Sequence, residues 1–255
     1  MADPLFAVEG RRVVVTGGGR GIGLTAATAL LERGAAVELW DVRGDDLDGA
    51  RAALTPGHPG RVDIECVDVS DADAVERAAA RAESRGPVHV LVNSAGISAH
   101  RRPAIEIAQA DWDRMLAVNL TGCWNTCRAL GRAMLARGAG SVINVASTNA
   151  IDPSPGIAHY CVSKAGVAML SRALALEWAA AGVRVNAVGP GPIQTPMTLP
   201  ILEANPALRA QWESRVPLGR LGEPRDLTGM FVYLASDASA WVTGQVFYVE
   251  GGWLL

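Results

Sequence analysis

No stretch of the chain reaches the roughly 18 uninterrupted apolar residues that a membrane-spanning helix requires. Basic tracts are missing too: the pairs Arg11-Arg12 and Arg101-Arg102 are too short to form one and read as solvated side chains. With a net charge of −3 and a pI near 5.8, the chain has no broad electrostatic footprint for nucleic acid. Cysteine is scarce, with Cys66, Cys123, Cys127 and Cys161 and no C-x-x-C pair. Cys123 and Cys127 stand four apart, but no His or further Cys completes metal-ligand spacing, so no metal is expected. Buried free thiols in a reducing compartment are the expectation. The start, M-A-D-P-L-F-A-V-E-G, has an early acid and lacks the basic start and apolar run of a secretory leader. These absences predict a soluble, cytoplasmic protein with neither nucleic-acid nor membrane partners.

What is present is a large apolar fraction, 49% against 19% charged, enough for a sizeable core. No linker divides the 255 residues, so one domain is expected over 1–255. Residues 12–16, R-V-V-V-T, form an apolar β-branched run, followed by G-G-G-R-G-I-G and an Ala/Leu-rich segment ending at Gly34. That is a strand, a glycine turn and a helix. Such a turn brings backbone N–H groups and a helix N-terminus up to a pyrophosphate, where side chains would block the approach. Gly17, Gly19, Arg20, Gly21, Ile22 and Gly23 are the candidate contacts, in a register that departs from G-x-G-x-x-G. The next strand ends in Asp41, followed by Val42. A carboxylate there hydrogen-bonds ribose hydroxyls and repels a 2′-phosphate, which favours NAD over NADP. Arg20 and Arg43 pull the other way. Asp41 is weighed above both.

The pattern then repeats. A helix near 45–54, a strand 61–67 closed by Asp68 and Val69, a helix 71–85, and the strand V-H-V-L-V follow. Asp68 can reach an adenine edge or cap a helix. The strand 88–92 runs into Asn93-Ser94-Ala95-Gly96, whose small residues suggest close approach to a ligand. Continuous rather than alternating apolar strands imply a parallel sheet with helices on both faces. Helix 111–137 carries Asn119 in an apolar setting, either as a satisfied core amide or as the site of a helix distortion whose freed carbonyl holds a relay water. Strand 140–147 ends at Ser147, and helix 158–180 begins with Tyr160 and Lys164, one turn apart on one face. A lysine ammonium beside a phenol favours the phenolate, lowering the Tyr pKa and poising it for proton transfer to and from an alcohol. Strand 183–188 leads into a proline-rich turn with Pro190 and Gly191 as candidate cofactor contacts and Ile193 and Thr195 placed to face a nicotinamide carboxamide or a phosphate. Residues 191–216 read as a helical lid, followed by helix 225–235 and a last strand.

With these residues in hand, the sequence resembles the classical short-chain dehydrogenase/reductase family over nearly its whole length. The carriers are T-G-G-G-R-G-I-G at 16–23, D-V at 68–69, N-S-A-G at 93–96, Asn119, Ser147, Y-C-V-S-K at 160–164, N-A-V-G-P-G at 186–191 and V-T-G-Q-V at 242–246. Position 94 is Ser where a second Asn is more usual. The resemblance implies a Rossmann-type doubly wound parallel sheet of about seven strands and a tetrad of Asn119, Ser147, Tyr160 and Lys164. Tyr would be the acid/base, Ser would position the substrate oxygen, Lys would lower the Tyr pKa and hold the nicotinamide ribose, and Asn would support the relay. Within the family the chain looks like the NAD-linked sugar, polyol and secondary-alcohol dehydrogenases. The alternatives are an NADPH-dependent ketoacyl-carrier-protein reductase and, from another class, a catalytically silent NAD-binding sensor or scaffold. The substrate pocket is expected near Ser98–Arg102, Thr148–Ile157 and 190–212, with Met197, His159 and Trp212 either packing or contacting substrate. A homodimer or homotetramer packed through the two long helices is implied. The tail with Trp253 would either add to that contact or fold back onto its own lid.

Overall fold

The structure is a computed structural model and describes residues 4–255; the first three residues of the N-terminal stretch lie outside the described residues. The first half comprises β1 (Arg12–Thr16), α1 (Gly21–Leu31), β2 (Ala36–Asp41), α2 (Gly44–Leu54), β3 (Val62–Cys66), α3 (Ala72–Ser84) and β4 (Val90–Asn93). It continues with α4 (Gln109–Leu116), α5 (Gly122–Arg137), β5 (Gly140–Val145), α6 (Ala158–Trp178) and β6 (Val183–Pro190). Helices α7 (Leu199–Ala204), α8 (Pro206–Arg215) and α9 (Thr228–Ala235) precede β7 (Val246–Val249).

All seven strands are parallel and lie in the order β3-β2-β1-β4-β5-β6-β7. The β1 residues show why the strands are apolar throughout. Val13 and Val15 pack on one face with Leu30, Leu39 and Phe231, while Val14 packs on the other with Leu91, Leu130 and Trp178. Successive side chains point to opposite faces, and here both faces are covered. The chain order reverses between β1 and β4, and a crevice opens there beyond the carboxyl ends of the strands. No helix among the described residues is long and apolar enough to cross a membrane.

The structure corrects several local expectations. Residues 111–137 do not form one α-helix: a π turn, Ala117–Thr121, separates α4 from α5, with the Gly122 N–H bonded to the Ala117 carbonyl. The 225–235 helix begins as a 3-10 turn, Pro224–Leu227. Cys66 is exposed, because it ends the edge strand β3, whereas Cys123, Cys127 and Cys161 are buried. Arg11 and Arg12 are not simply solvated. Arg11 pairs with Asp237 at 2.7 Å, and Arg12 stands 3.6 Å from Glu38. Glu38 is a buried carboxylate that also receives Arg85 at 2.9 Å and the Trp40 indole N–H at 3.0 Å. A buried charge without such partners would be expelled to solvent or neutralised. Arg102 pairs with Asp111 at 3.2 Å, and Arg101 donates to the Pro155 carbonyl at 2.8 Å.

Candidate active site

The turn after β1 is built from backbone because nothing larger fits. Gly17 has φ of 64°, and a Cβ there would lie 2.8 Å from the Ala95 nitrogen. A Cβ on Gly23 would lie 2.2 Å from the Gly17 carbonyl oxygen, so α1 packs directly on the turn. Thr16 ties this turn to the next strand end, its hydroxyl oxygen accepting the N–H groups of Ser94 and Ala95 at 3.2 Å each. Sequence reasoning did not single out Thr16; its place as the last residue before the glycines was the available signal.

At the end of β2, Asp41 accepts the Gly19 N–H and the Arg43 N–H, each at 3.2 Å. Arg20 and Arg43, the two candidate phosphate partners, both face Asp46, at 3.6 Å and 2.8 Å. Asp68 accepts the backbone N–H and hydroxyl of Ser70 at 2.9 and 2.6 Å in an Asx turn, while Asp71 is the cap of α3, and Asp68 also lines the cleft. The bare glycine turn, its helix N-terminus and the carboxylate beside it fit a dinucleotide. Gly17, Arg20, Gly21 and Ile22 would hold its pyrophosphate side, Asp41 and Val42 its ribose and adenine side.

The other end of the cleft is formed by β5 and α6. Ser147 follows β5 by two residues, and its hydroxyl oxygen accepts the Asn149 N–H at 3.1 Å. Tyr160 and Lys164 sit in the first turns of α6. The Lys164 ammonium donates to the Val145 carbonyl at 2.8 Å, so the strand that delivers Ser147 also anchors the lysine. Its Nζ lies 5.9 Å from the centroid of the Tyr160 ring. Burial pulls the Lys164 pKa down from 10.5 to about 8. For Tyr160 the expected depression is reversed. By area the ring is only partly buried, yet the dense protein around it raises the phenol above its ordinary value, with the Ser147 hydroxyl acting in the opposite direction. Desolvation outweighs the Ser147 hydrogen bond, and the Lys164 ammonium donates to the Val145 carbonyl.

Asn119 lies in the π turn as a fully engaged amide. It accepts the Ile97 N–H at 2.8 Å and donates to the Ile97 carbonyl at 3.1 Å and the Ser163 hydroxyl at 3.2 Å. The amide is thus satisfied, and it lies where the helix is distorted. Asn93 is also internal, bonded to Asn144 at 2.9 Å and Thr126 at 2.6 Å.

One cleft of about 860 Å³ joins these parts. Its wall includes Asp41, Val42, Asp68, Val69, Ser94, Ala95, Gly96, Ser147, Tyr160 and Lys164. Pro190, Gly191, Ile193 and Thr195 line it on the β6 side, with Met197 and Trp212 above. Gly19, Gly23, Asn93 and Asn119 stand behind this wall rather than on it. His159 packs away from the cleft, buried, with its pKa lowered by that burial. Trp253 reaches the wall from the C-terminal tail, which folds back onto α8.

The family model described as Enoyl-(Acyl carrier protein) reductase matches residues 17–254. The chain is 43% identical over 251 residues to the galactitol 2-dehydrogenase (L-tagatose-forming) of Cereibacter sphaeroides, covering 98% of this chain and 97% of that protein. It is 37% identical to a 3-oxoacyl-acyl-carrier-protein reductase of Chlamydia pneumoniae, covering 97% and 98%. The crystal structure of a gluconate 5-dehydrogenase from Burkholderia cenocepacia, in complex with NADP and tartrate, superposes with a TM-score of 0.93 at 36% identity, covering 98% of each chain. With the glycine turn, the Ser147–Tyr160–Lys164 grouping and similarity of this extent, the chain belongs to the short-chain dehydrogenase/reductase family of oxidoreductases.

Proposed function

We propose that the protein interconverts a secondary alcohol of a small polyol or sugar and its ketone, using NAD in preference to NADP. The observation that carries this reading is a single cleft with Asp41 at one end and Ser147, Tyr160 and Lys164 at the other. Bound there, a nicotinamide supplies the hydride chemistry. In the oxidising direction Tyr160 takes the hydroxyl proton of the alcohol, and in the reducing direction it returns a proton to the carbonyl oxygen. The Ser147 hydroxyl holds the same oxygen. Lys164, a cation at neutral pH, favours the phenolate and holds the ribose of the cofactor. Asn119 braces the loop at Ile97 and, through the π turn, maintains the proton path. Residues 191–216 act as a lid that excludes water once substrate is seated.

Two observations support NAD. Asp41 ends β2 with its carboxylate at the cleft wall, which disfavours a phosphate beside it, and both nearby guanidinium groups are drawn to Asp46. The galactitol dehydrogenase relative supports a polyol substrate. The dimer or tetramer implied by the resemblance is supported by apolar side chains left exposed on α5 and α6.

The test is NADH or NADPH formation by the purified protein across polyols, sugars and simple secondary alcohols. The reading predicts turnover with NAD, and Asp41→Asn should narrow the preference for NAD by about tenfold. Turnover with NADP alone would overturn the cofactor assignment and favour the ketoacyl-carrier-protein reductase reading. Cofactor binding without turnover on any alcohol or carbonyl would favour a silent scaffold.

A further inference from the structure

The far end of the cleft adjoins a second, open hollow of about 450 Å³, bordered by Arg101, α8, residues 154–155 and the C-terminal tail. Five residues border both spaces: Arg101, Ser154, Leu208, Trp212 and Trp253. They form a partition. Trp253 is the member held by the most specific interactions. Its indole N–H donates to Asp152 Oδ2 at 3.0 Å, and Arg215 of α8 reaches the same oxygen at 2.7 Å. The Arg215 guanidinium also lies over the Trp253 ring, 4.0 Å from its centroid. Trp212 meets Trp253 edge-on, with centroids 6.3 Å apart at 77°. One carboxylate on the loop after Ser147, one guanidinium on α8 and one indole from the tail thus lock three segments together.

The tail's path is fixed by Gly251 and Gly252, with φ of 70° and 93°. A Cβ on either would strike Val216 or Pro217, at 2.7 and 2.6 Å, so two successive glycines bring the tail flush against the end of α8. This is specific placement of an indole at a pocket wall.

We propose that Trp253, fixed by Asp152 and Arg215, determines substrate length by closing the substrate end of the cleft. With the indole in place, the cleft accepts short hydroxylated chains. Without it, the two cavities merge, and the second becomes a subsite for the distal part of a longer alcohol. This rests on the secondary-alcohol reading of the site above. Trp253 is a specificity-determining residue in this account and takes no part in proton transfer.

The experiment measures kcat and KM for short polyols and for a homologous series of unsubstituted secondary alcohols of increasing chain length. Wild type is compared with Trp253→Ala, Trp253→Phe, Asp152→Asn and Arg215→Met, with NADH affinity and melting temperature measured for each. Trp253→Ala should raise KM for short polyols by about tenfold with little change in kcat, and improve kcat/KM for the longest alcohols relative to the shortest by about tenfold or more. Trp253→Phe should restore most of the short-chain preference. Asp152→Asn and Arg215→Met, which keep the indole but unlock it, should shift the profile the same way and increase acrylamide quenching of tryptophan fluorescence. NADH affinity should be unchanged throughout. An equal loss of kcat/KM at every chain length, or an unaltered profile, overturns the proposal. If Trp253→Ala does not fold, an unshifted profile in the two unlocking variants overturns it just as well. If the wild type oxidises no polyol, the polyol assignment fails, while the chain-length profile on plain alcohols still decides the role of Trp253.

Discussion

Lys164 is the only lysine in the chain, so a single ε-carbon resonance reports its titration without assignment. That resonance should titrate with a midpoint near pH 8, well below 10.5, because the ammonium is buried and its hydrogen-bond acceptor is the neutral Val145 carbonyl. The consequence for stability has a definite sign. Between about 8 and 10.5 the unfolded chain holds more protons at this lysine than the folded one, so its contribution to stability rises with pH across that window. Below the window the folded state carries the full penalty, about 3 kcal/mol for a shift of this size. Lys164→Met removes it. The difference in unfolding free energy between variant and wild type, measured in urea from neutral to alkaline pH, should shrink as pH rises. Taking the difference cancels the buried thiol of Cys127 and the phenols, whose raised pKa values act in the opposite sense. In the proposed mechanism, catalysis follows the phenol. Since burial raises the Tyr160 pKa, alcohol oxidation should increase from neutral into alkaline pH while ketone reduction declines.

Two elements position these residues. The glycine turn between β1 and α1 tolerates no side chain at Gly23, where a Cβ would lie 2.2 Å from a carbonyl oxygen. Gly23→Ala should therefore weaken NADH binding by about tenfold or more while circular dichroism still shows a folded α/β protein. From the π turn between α4 and α5, Asn119 satisfies both the N–H and the carbonyl of Ile97. Asn119→Ala leaves those groups unpartnered and should lower the unfolding free energy by about 1–3 kcal/mol in a urea titration with an unchanged m-value. These elements also show what was legible beforehand. The strands, the glycine turn and the i, i+4 pair at Tyr160 and Lys164 rest on local pattern, and local pattern is visible in sequence. Whether a charge is solvated or buried is settled by tertiary neighbours. That is why Arg12, facing Glu38 across two strands, and Cys66, at a sheet edge, differ from expectation. The Tyr160 pKa differs for the same reason, because spacing gives the neighbour but not the desolvation. Trp253 reaches the cleft wall only because two glycines turn the tail beneath α8, a placement no periodicity encodes.

On the scale of the whole molecule, α6 leaves Val162, Met169 and Leu176 uncovered at seven-residue spacing, 46%, 61% and 85% exposed, with Trp124 of α5 also exposed. A stripe of this kind suits a helix-packed interface with a second copy. Met169→Glu should reduce the mass seen by light scattering to that of a smaller species, and an unchanged mass would remove this face from the interface. The sheet order also sets the global logic of the enzyme. Reversal between β1 and β4 opens a crevice into which Asp41, Ser147, Tyr160 and Lys164 all converge from separate strand ends and one helix. This convergence is proposed to perform alcohol oxidation through the Tyr160 phenol. Its most direct test is the rate of NADH formation from NAD and the best polyol of the panel, for wild type beside Tyr160→Phe. Tyr160→Phe should lose about a hundredfold or more in kcat with NADH affinity retained. A Phe variant that turns over as fast as wild type would contradict it.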